Sequence, residues 1–276
     1  MAASDREPSL LHLIKYQALG NDYLVLDLPA PPERLRRLVP RLCDRQRGLG
    51  ADGLLLFDPK EFAVRIFNPD GSEAEKSGNG LRIAACHAVL EHEAEPEFEL
   101  RTRDRSNPVL VLAVQGGSVS SQVDMGRARL EPDEWVTIET PAGRVRCRLV
   151  DVGNPHCVVF DQEVTPERCR ELGPWLEHDR RFPLRTNVQL VEVVDRRRAR
   201  IEIWERGAGY TLASGSSATA VAAVLIHLGH TDPQLEVVMP GGSLAVRQTP
   251  NGNLLQTGPA RRVFNAVVDL ADLEQA

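Results

Sequence analysis

The 276-residue sequence predicts an α+β fold of two pseudo-symmetric lobes, each a curled, mostly antiparallel sheet around a central helix. Three observations predict it. Strand patterns greatly outnumber helical ones, each half holds a single long apolar helix, and one strand-to-helix unit occurs twice. In the first copy, Phe62 to Asn68 (FAVRIFN) alternates like a half-buried strand, and nine residues later Ser77-Gly78-Asn79-Gly80 opens the apolar helix LRIAACHAVLEH. In the second, Ala199 to Glu205 (ARIEIWE) alternates, and nine residues later Ser214-Gly215-Ser216-Ser217 opens ATAVAAVLIHLGH. The copies align without a gap at an offset of 137 residues, which implies duplication.

The remaining elements follow in order. After a polar start, Leu11 to Asp27 alternates into the strand Tyr23 to Leu26, introduced by the turn Gly20-Asn21-Asp22. Pro31 and Pro32 precede a helical stretch, Arg34 to Asp44, with leucines at 35, 38 and 42. Leu54 to Phe57 reads as a strand after Gly48-Leu49-Gly50, and Pro69-Asp70-Gly71 ends the strand that follows. Behind the first helix, which ends near His92, Phe98 to Thr102 and Val109 to Val114 read as strands joined by a Ser-Asn-Pro turn. Leu235 to Met239 and Ser243 to Val246, joined by Pro-Gly-Gly, are their counterparts. Upstream, Leu19 to Asp27 is echoed by Val152 to Asp161, so each half has a Gly-Asn turn. The boundary between lobes is expected near Gly126 to Asp133.

Composition narrows the function. An apolar fraction of 42% and a charged fraction of 26% describe a soluble globular chain with no membrane-length apolar run. MAASDREPSL lacks a secretory pattern, so a cytoplasmic site is expected. Five scattered cysteines without C-x-x-C pairs argue against a disulfide framework or a thiolate metal site. A net charge of -6 disfavours a nucleic-acid surface. The expected partner is a small molecule.

The repeated helix starts offer the chemistry. A helix N-terminus leaves N-H groups unpaired and carries partial positive charge, so two of them suit a carboxylate. Gly78, Gly80 and Gly215 allow close approach, and Ser77 and Ser214 present side chains at matching points. Each serine alone reads most simply as an N-cap. What favours a site is the polar company: Asn21, Asn68, Asn79, Asn154, His156, Asn187, Glu205 and Arg206. Gly207-Ala208-Gly209 lacks the spacing of a phosphate loop, His227 and His230 fit a solvated helix end, and Arg196 to Arg200 fits an exposed hairpin turn.

Gly-Asn-Asp-Tyr, Phe-Asn-Pro-Asp-Gly-Ser-Glu, Gly-Asn-Gly, Gly-Asn-Pro-His-Cys, Asn187 and Glu-Arg-Gly-Ala-Gly-x-Thr-Leu-Ala together resemble the diaminopimelate epimerase family, from Leu11 to about Leu270. The resemblance implies a first lobe of residues 1–128, a second of 129–261 and a C-terminal segment, 262–276, packing back on the first. It also implies cofactor-free, metal-free inversion of an amino-acid α-carbon by two opposed bases, with LL-diaminopimelate the leading substrate and homodimerisation left open. The bases fall on Ser77 and Ser214, assisted by His156 and Glu205. Asn68, Asn154, Asn187 and Arg206 would hold the substrate's ammonium and distal carboxylate, with Asn21, Gly78, Asn79, Gly215 and Ser216 completing the substrate site.

The chain departs from the family at both bases, where the family has cysteine and this sequence has Ser77 and Ser214. A hydroxyl pKa roughly five units above a thiol's makes the base about 7 kcal/mol costlier to form. Uncompensated, that is about five decades in rate. Helix dipoles, at most ~2 kcal/mol each, do not offset it. Two other readings therefore stand beside the epimerase: a non-catalytic amino-acid binder, and a lyase acting on a hydroxylated amino acid.

Overall fold

The structure, a computed structural model, describes residues 10–28, 33–74, 77–103, 105–130, 134–161 and 163–275. The polar start, Pro31-Pro32 and part of the expected lobe boundary lie outside the described residues.

In the first half the chain forms β1 (Leu10–Ala18), β2 (Asn21–Asp27), α1 (Glu33–Cys43), β3 (Leu54–Asp58), β4 (Ala63–Phe67), α2 (Gly78–His92), β5 (Glu97–Thr102), β6 (Arg105–Gln115) and β7 (Ser118–Arg127). The second half forms β8 (Val136–Thr140), β9 (Gly143–Asp151), β10 (Pro155–Val159), α3 (Pro166–Glu177), β11 (Asn187–Asp195), β12 (Arg198–Glu205), β13 (Gly209–Thr211), α4 (Gly215–His227), β14 (Gln234–Met239), β15 (Gly242–Gln248), β16 (Asn253–Asp269) and α5 (Leu270–Gln275).

The strands β1 to β7 are neighbours in sequence order, and β16 closes them into a barrel by pairing with both β7 and β1. From β16 the sheet continues through β15, β14, β12, β11, β10 and β9 to β8. The pairings repeat: β2 runs parallel to β3 as β10 does to β11, and β4 parallel to β5 as β12 does to β14. Duplication therefore extends from sequence into strand order.

A helix that is apolar on all faces must be wrapped rather than laid on a surface. Residues 78–88 of α2 and 215–225 of α4 are all buried, each helix enclosed by its own sheet. The halves do not have separate interiors, however. One apolar cluster runs from Tyr16, Leu81 and Val123 to Val158, Ile201 and Val221. Two features cause this: β16 pairs with strands of both halves, and α2 touches α4.

The Ser-Asn-Pro turn expected at 106–108 is not a turn. These residues lie inside β6, and Pro108 faces Glu99 of β5. Proline is tolerated there because pairing with β7 begins only at Val109, so the missing N-H falls where β6 has one neighbour. Among the described residues no helix is long and apolar enough to cross a membrane.

Candidate active site

The strand-to-helix repeat brings the two helix starts against each other. A β-carbon on Gly78 would lie 3.1 Å from the Gly215 backbone, and one on Gly215 would lie 2.9 Å from that of Gly78. Both would also meet Gln256 Oε1 at 2.9 Å. Glycine is required here by close approach rather than by φ.

Gln256 of β16 ties the pair together. Its Nε2 donates to Gly215 O at 2.6 Å and to Thr219 Oγ1 at 3.0 Å, while its Oε1 accepts from the Arg82 guanidinium. Arg82 also donates to Asn79 Oδ1 at 2.6 Å. It is fully buried, and desolvation lowers its pKa to about 9. Asn79 in turn donates to Asn21 Oδ1 and to the Ala213 carbonyl beside Ser214. A polar path thus crosses from the first half to the second at the helix starts.

Ser77 and Ser214 are N-caps with extended backbone, as expected. Ser77 Oγ accepts from the Gly80 N-H at 3.0 Å, and Ser214 Oγ from the Ser217 N-H at 3.4 Å. A capping oxygen uses its lone pair on the helix and keeps its proton for another partner. Tyr23 Oη lies 3.4 Å from Ser77 Oγ, and Ser216 Oγ lies 3.4 Å from Ser214 Oγ.

The Glu205 carboxyl faces the Ser214 and Thr211 hydroxyls. Part of the residue stays at the surface, but the carboxyl is packed among protein groups, and this burial raises its pKa against the opposing pull of the two hydroxyls. Burial likewise pushes the Tyr23 phenol far up. Ser77 opposes that shift, while the charges of Glu205 and Asp52 add to it. Tyr23 and Ser77 from one half and Glu205 from the other therefore share one electrostatic environment.

His156 is 1% exposed, on β10. Its Nδ1 lies 3.0 Å from Gln189 Nε2 and its Nε2 lies 2.9 Å from Asn154 Oδ1, so both ring nitrogens are held by hydrogen bonds. Gln189 also donates to Ser217 Oγ at 2.9 Å, joining the imidazole to the first turn of α4. Asn187, on the neighbouring strand, donates to Pro155 O and accepts from the Arg206 N-H. Asn154, His156, Asn187 and Arg206 thus form one connected group.

Asn68 stands apart. Its amide donates to Ser72 Oγ, its N-H to Ser72 O, and its carbonyl accepts from the Gly71 N-H, all within one turn.

Tyr23, Asp52, Arg82, Gln189, Ser217 and Gln256 were not singled out by the sequence. Gln256 left a trace, because Leu254, Gln256, Gly258 and Ala260 share the inward phase of β16 and a glutamine does not belong in an apolar one. Asp52 sits in the turn after Gly50 and holds Asn21 in place, accepting from its Nδ2 at 2.8 Å. Arg45 bridges Asp52 and Asp22, and Lys15 pairs with Asp22 at 2.6 Å.

Two enclosed apolar helices whose capped starts abut, with a desolvated carboxyl at one cap, define an epimerase-like frame. The chain belongs to the diaminopimelate epimerase family, a family of isomerases, whose model matches residues 13–131 and 148–263. Diaminopimelate epimerase of Synechococcus elongatus is 37% identical, covering 95% of this chain and 99% of its own. That of Azotobacter vinelandii is 38% identical, covering 95% and 100%. Among solved structures, a predicted epimerase from Pseudomonas aeruginosa superposes with a TM-score of 0.71 at 19% identity, covering 94% of this chain and 99% of that one. A hydroxyproline epimerase from Agrobacterium vitis, with bound trans-4-hydroxy-L-proline, superposes at 0.70 and 17% identity, covering 95% and 93%.

Proposed function

We propose that this chain inverts the α-carbon of an amino acid without a cofactor, converting LL- to meso-diaminopimelate in the route to lysine and peptidoglycan precursors. The observation that carries this reading is the abutment of two capped helix starts with Glu205 at one of them. Ser77 and Ser214 act on opposite faces of the α-carbon, one taking the proton and the other returning one. Glu205 receives the Ser214 proton, for which its raised pKa suits it. His156 assists from the orientation in which Gln189 and Asn154 hold its ring.

The substrate α-carboxylate takes the helix-start N-H groups of Gly78, Asn79, Gly215 and Ser216, where partial positive charge also stabilises the developing carbanion. Asn21, Asn68, Asn154, Asn187 and Arg206 receive the ammonium and the distal end. The two-lobe division at 128/129 with 262–276 returning to the first lobe, a cytoplasmic location and the option of a homodimer belong to the same reading.

Incubation with LL-diaminopimelate in deuterium oxide tests it. Deuterium at the α-carbon together with meso product is expected. Neither exchange nor inversion, with this substrate or a panel of amino acids, rejects it.

A further inference from the structure

Ser77 and His87 are ten residues apart on α2, about 15 Å at 1.5 Å per residue, so the far end of the helix is remote from the proposed active site. There Asp27, at the end of β2, meets two histidines. Its Oδ1 lies 2.7 Å from His87 Nε2 and its Oδ2 lies 3.0 Å from His92 Nε2. All three ligand atoms lie within 4.8 Å of one another. Phe57 stacks on the His92 ring at 5.4 Å and meets the His87 ring edge-on at 5.1 Å, fixing both.

The convergence of two imidazoles and a carboxylate on one point, with the rings held in place, is what points to a ligand. Tyr16 Oη donates to Glu91 Oε1 at 3.3 Å, and Glu91 is paired with Arg262. The Tyr16 hydroxyl also lies 3.1 Å from His87 Nδ1, which fixes the ring so that Nε2 points at Asp27. His92 Nε2 is buried and has no aligned hydrogen-bond partner among the described residues, although Asp27 Oδ2 is close. One imidazole nitrogen from each histidine thus converges on the two oxygens of a single carboxylate.

We propose that Asp27, His87 and His92 form a binding site for a divalent transition metal of the zinc class. Two imidazoles and a carboxylate are a borderline-soft donor set that suits such ions rather than Mg²⁺ or Ca²⁺. Tetrahedral Zn-N bonds of 2.0–2.1 Å place ligand atoms about 3.3 Å apart, so small movements of the partly exposed Asp27 open the present 2.7 and 3.0 Å contacts enough. Tyr16, hydrogen-bonded to Glu91, orients His87 as carboxylates and carbonyls orient ligating histidines elsewhere. A cavity of about 240 Å³ lined by His12, Asp27, His87 and residues 265–267 of β16 adjoins the cluster and gives an ion a route in. Bound metal would clamp the end of α2 to β2. This site is independent of the proposed reaction.

Calorimetric titration of the chelator-treated full chain with Zn²⁺ and visible absorption with Co²⁺ test the proposal. One equivalent is expected to bind, with ligand-field bands and no thiolate charge transfer. Asp27→Asn and His92→Gln, both at partly exposed positions, are each expected to weaken binding by more than about 100-fold while circular dichroism stays unchanged, and Tyr16→Phe by about 10-fold. No binding, binding that survives both ligand substitutions, or a Co²⁺-thiolate band overturns it.

Discussion

The starts of α2 and α4 are the same motif in unequal surroundings. Ser77 is half-buried, and its hydroxyl has a phenol for a neighbour. Ser214 is 2% exposed, with its N-H against Met239 Sδ, its hydroxyl near Ser216 and the Glu205 carboxyl facing it. Duplication supplied two equal caps, and the packing around them made one a group that water can reach and the other a group that only protein can serve. A two-base reaction needs its bases in opposite protonation states at any moment, and unequal surroundings provide a physical basis for that difference.

The largest effect that would break this comparison is chemical. Restoring both positions to cysteine, Ser77→Cys with Ser214→Cys, is expected to raise the inversion rate by up to about five decades. Stopped assays of meso-diaminopimelate measure it, and an unchanged rate means that the hydroxyls are not what limits the reaction. Next comes the point of contact between the helices. Gly215→Ala places a β-carbon 2.9 Å from both Gln256 Oε1 and the Gly78 backbone, and a loss of about 2–3 kcal/mol is expected from urea unfolding. A neutral result would mean that the helix starts stand further apart.

The caps themselves should differ. Ser77→Ala is expected to cost under about 1 kcal/mol, because Ser77 is half-buried and water can occupy the place its hydroxyl leaves beside the buried Gly80. Ser214→Ala is expected to cost about 1–2 kcal/mol, because it strands the buried Ser217 N-H. Equal losses would erase the asymmetry. The smallest effect concerns Glu205, whose folded pKa is raised above its unfolded one. Between the two values the folded state holds the extra proton, so this group's contribution falls as pH rises through that window. Glu205→Gln should therefore gain in stability relative to the parent chain from acid to neutral pH while losing turnover, as thermal melts across pH would record. Parallel pH curves would show that the carboxyl is not desolvated.

By itself the sequence determined the repeat, the period of every element in it and the caps. These are local properties: strand alternation, apolar helices and serines at helix starts are set within a few residues of each position. The resemblance added Glu205 and His156, and the structure places both at the start of α4, through Ser214 and Ser217 respectively. It also joins Asn154, Asn187 and Arg206, but leaves Asn68 with partners only in its own turn.

The tertiary structure alone decided contacts made at long separation. Gln256 and Arg82 meet across 174 residues, and Asp27 and His87 across 60. Neither pairing follows from a period or a motif, because each depends on how β16 is shared between the two halves of one sheet and on which end of α2 reaches β2. The Pro108 misreading has the same origin, since a proline's tolerance in a strand depends on whether a neighbour is present on its N-H side. Ser-Gly at two helix starts is written in the chain. That the two starts abut, and that one cap is buried beside a carboxyl, results from the packing of one half on the other.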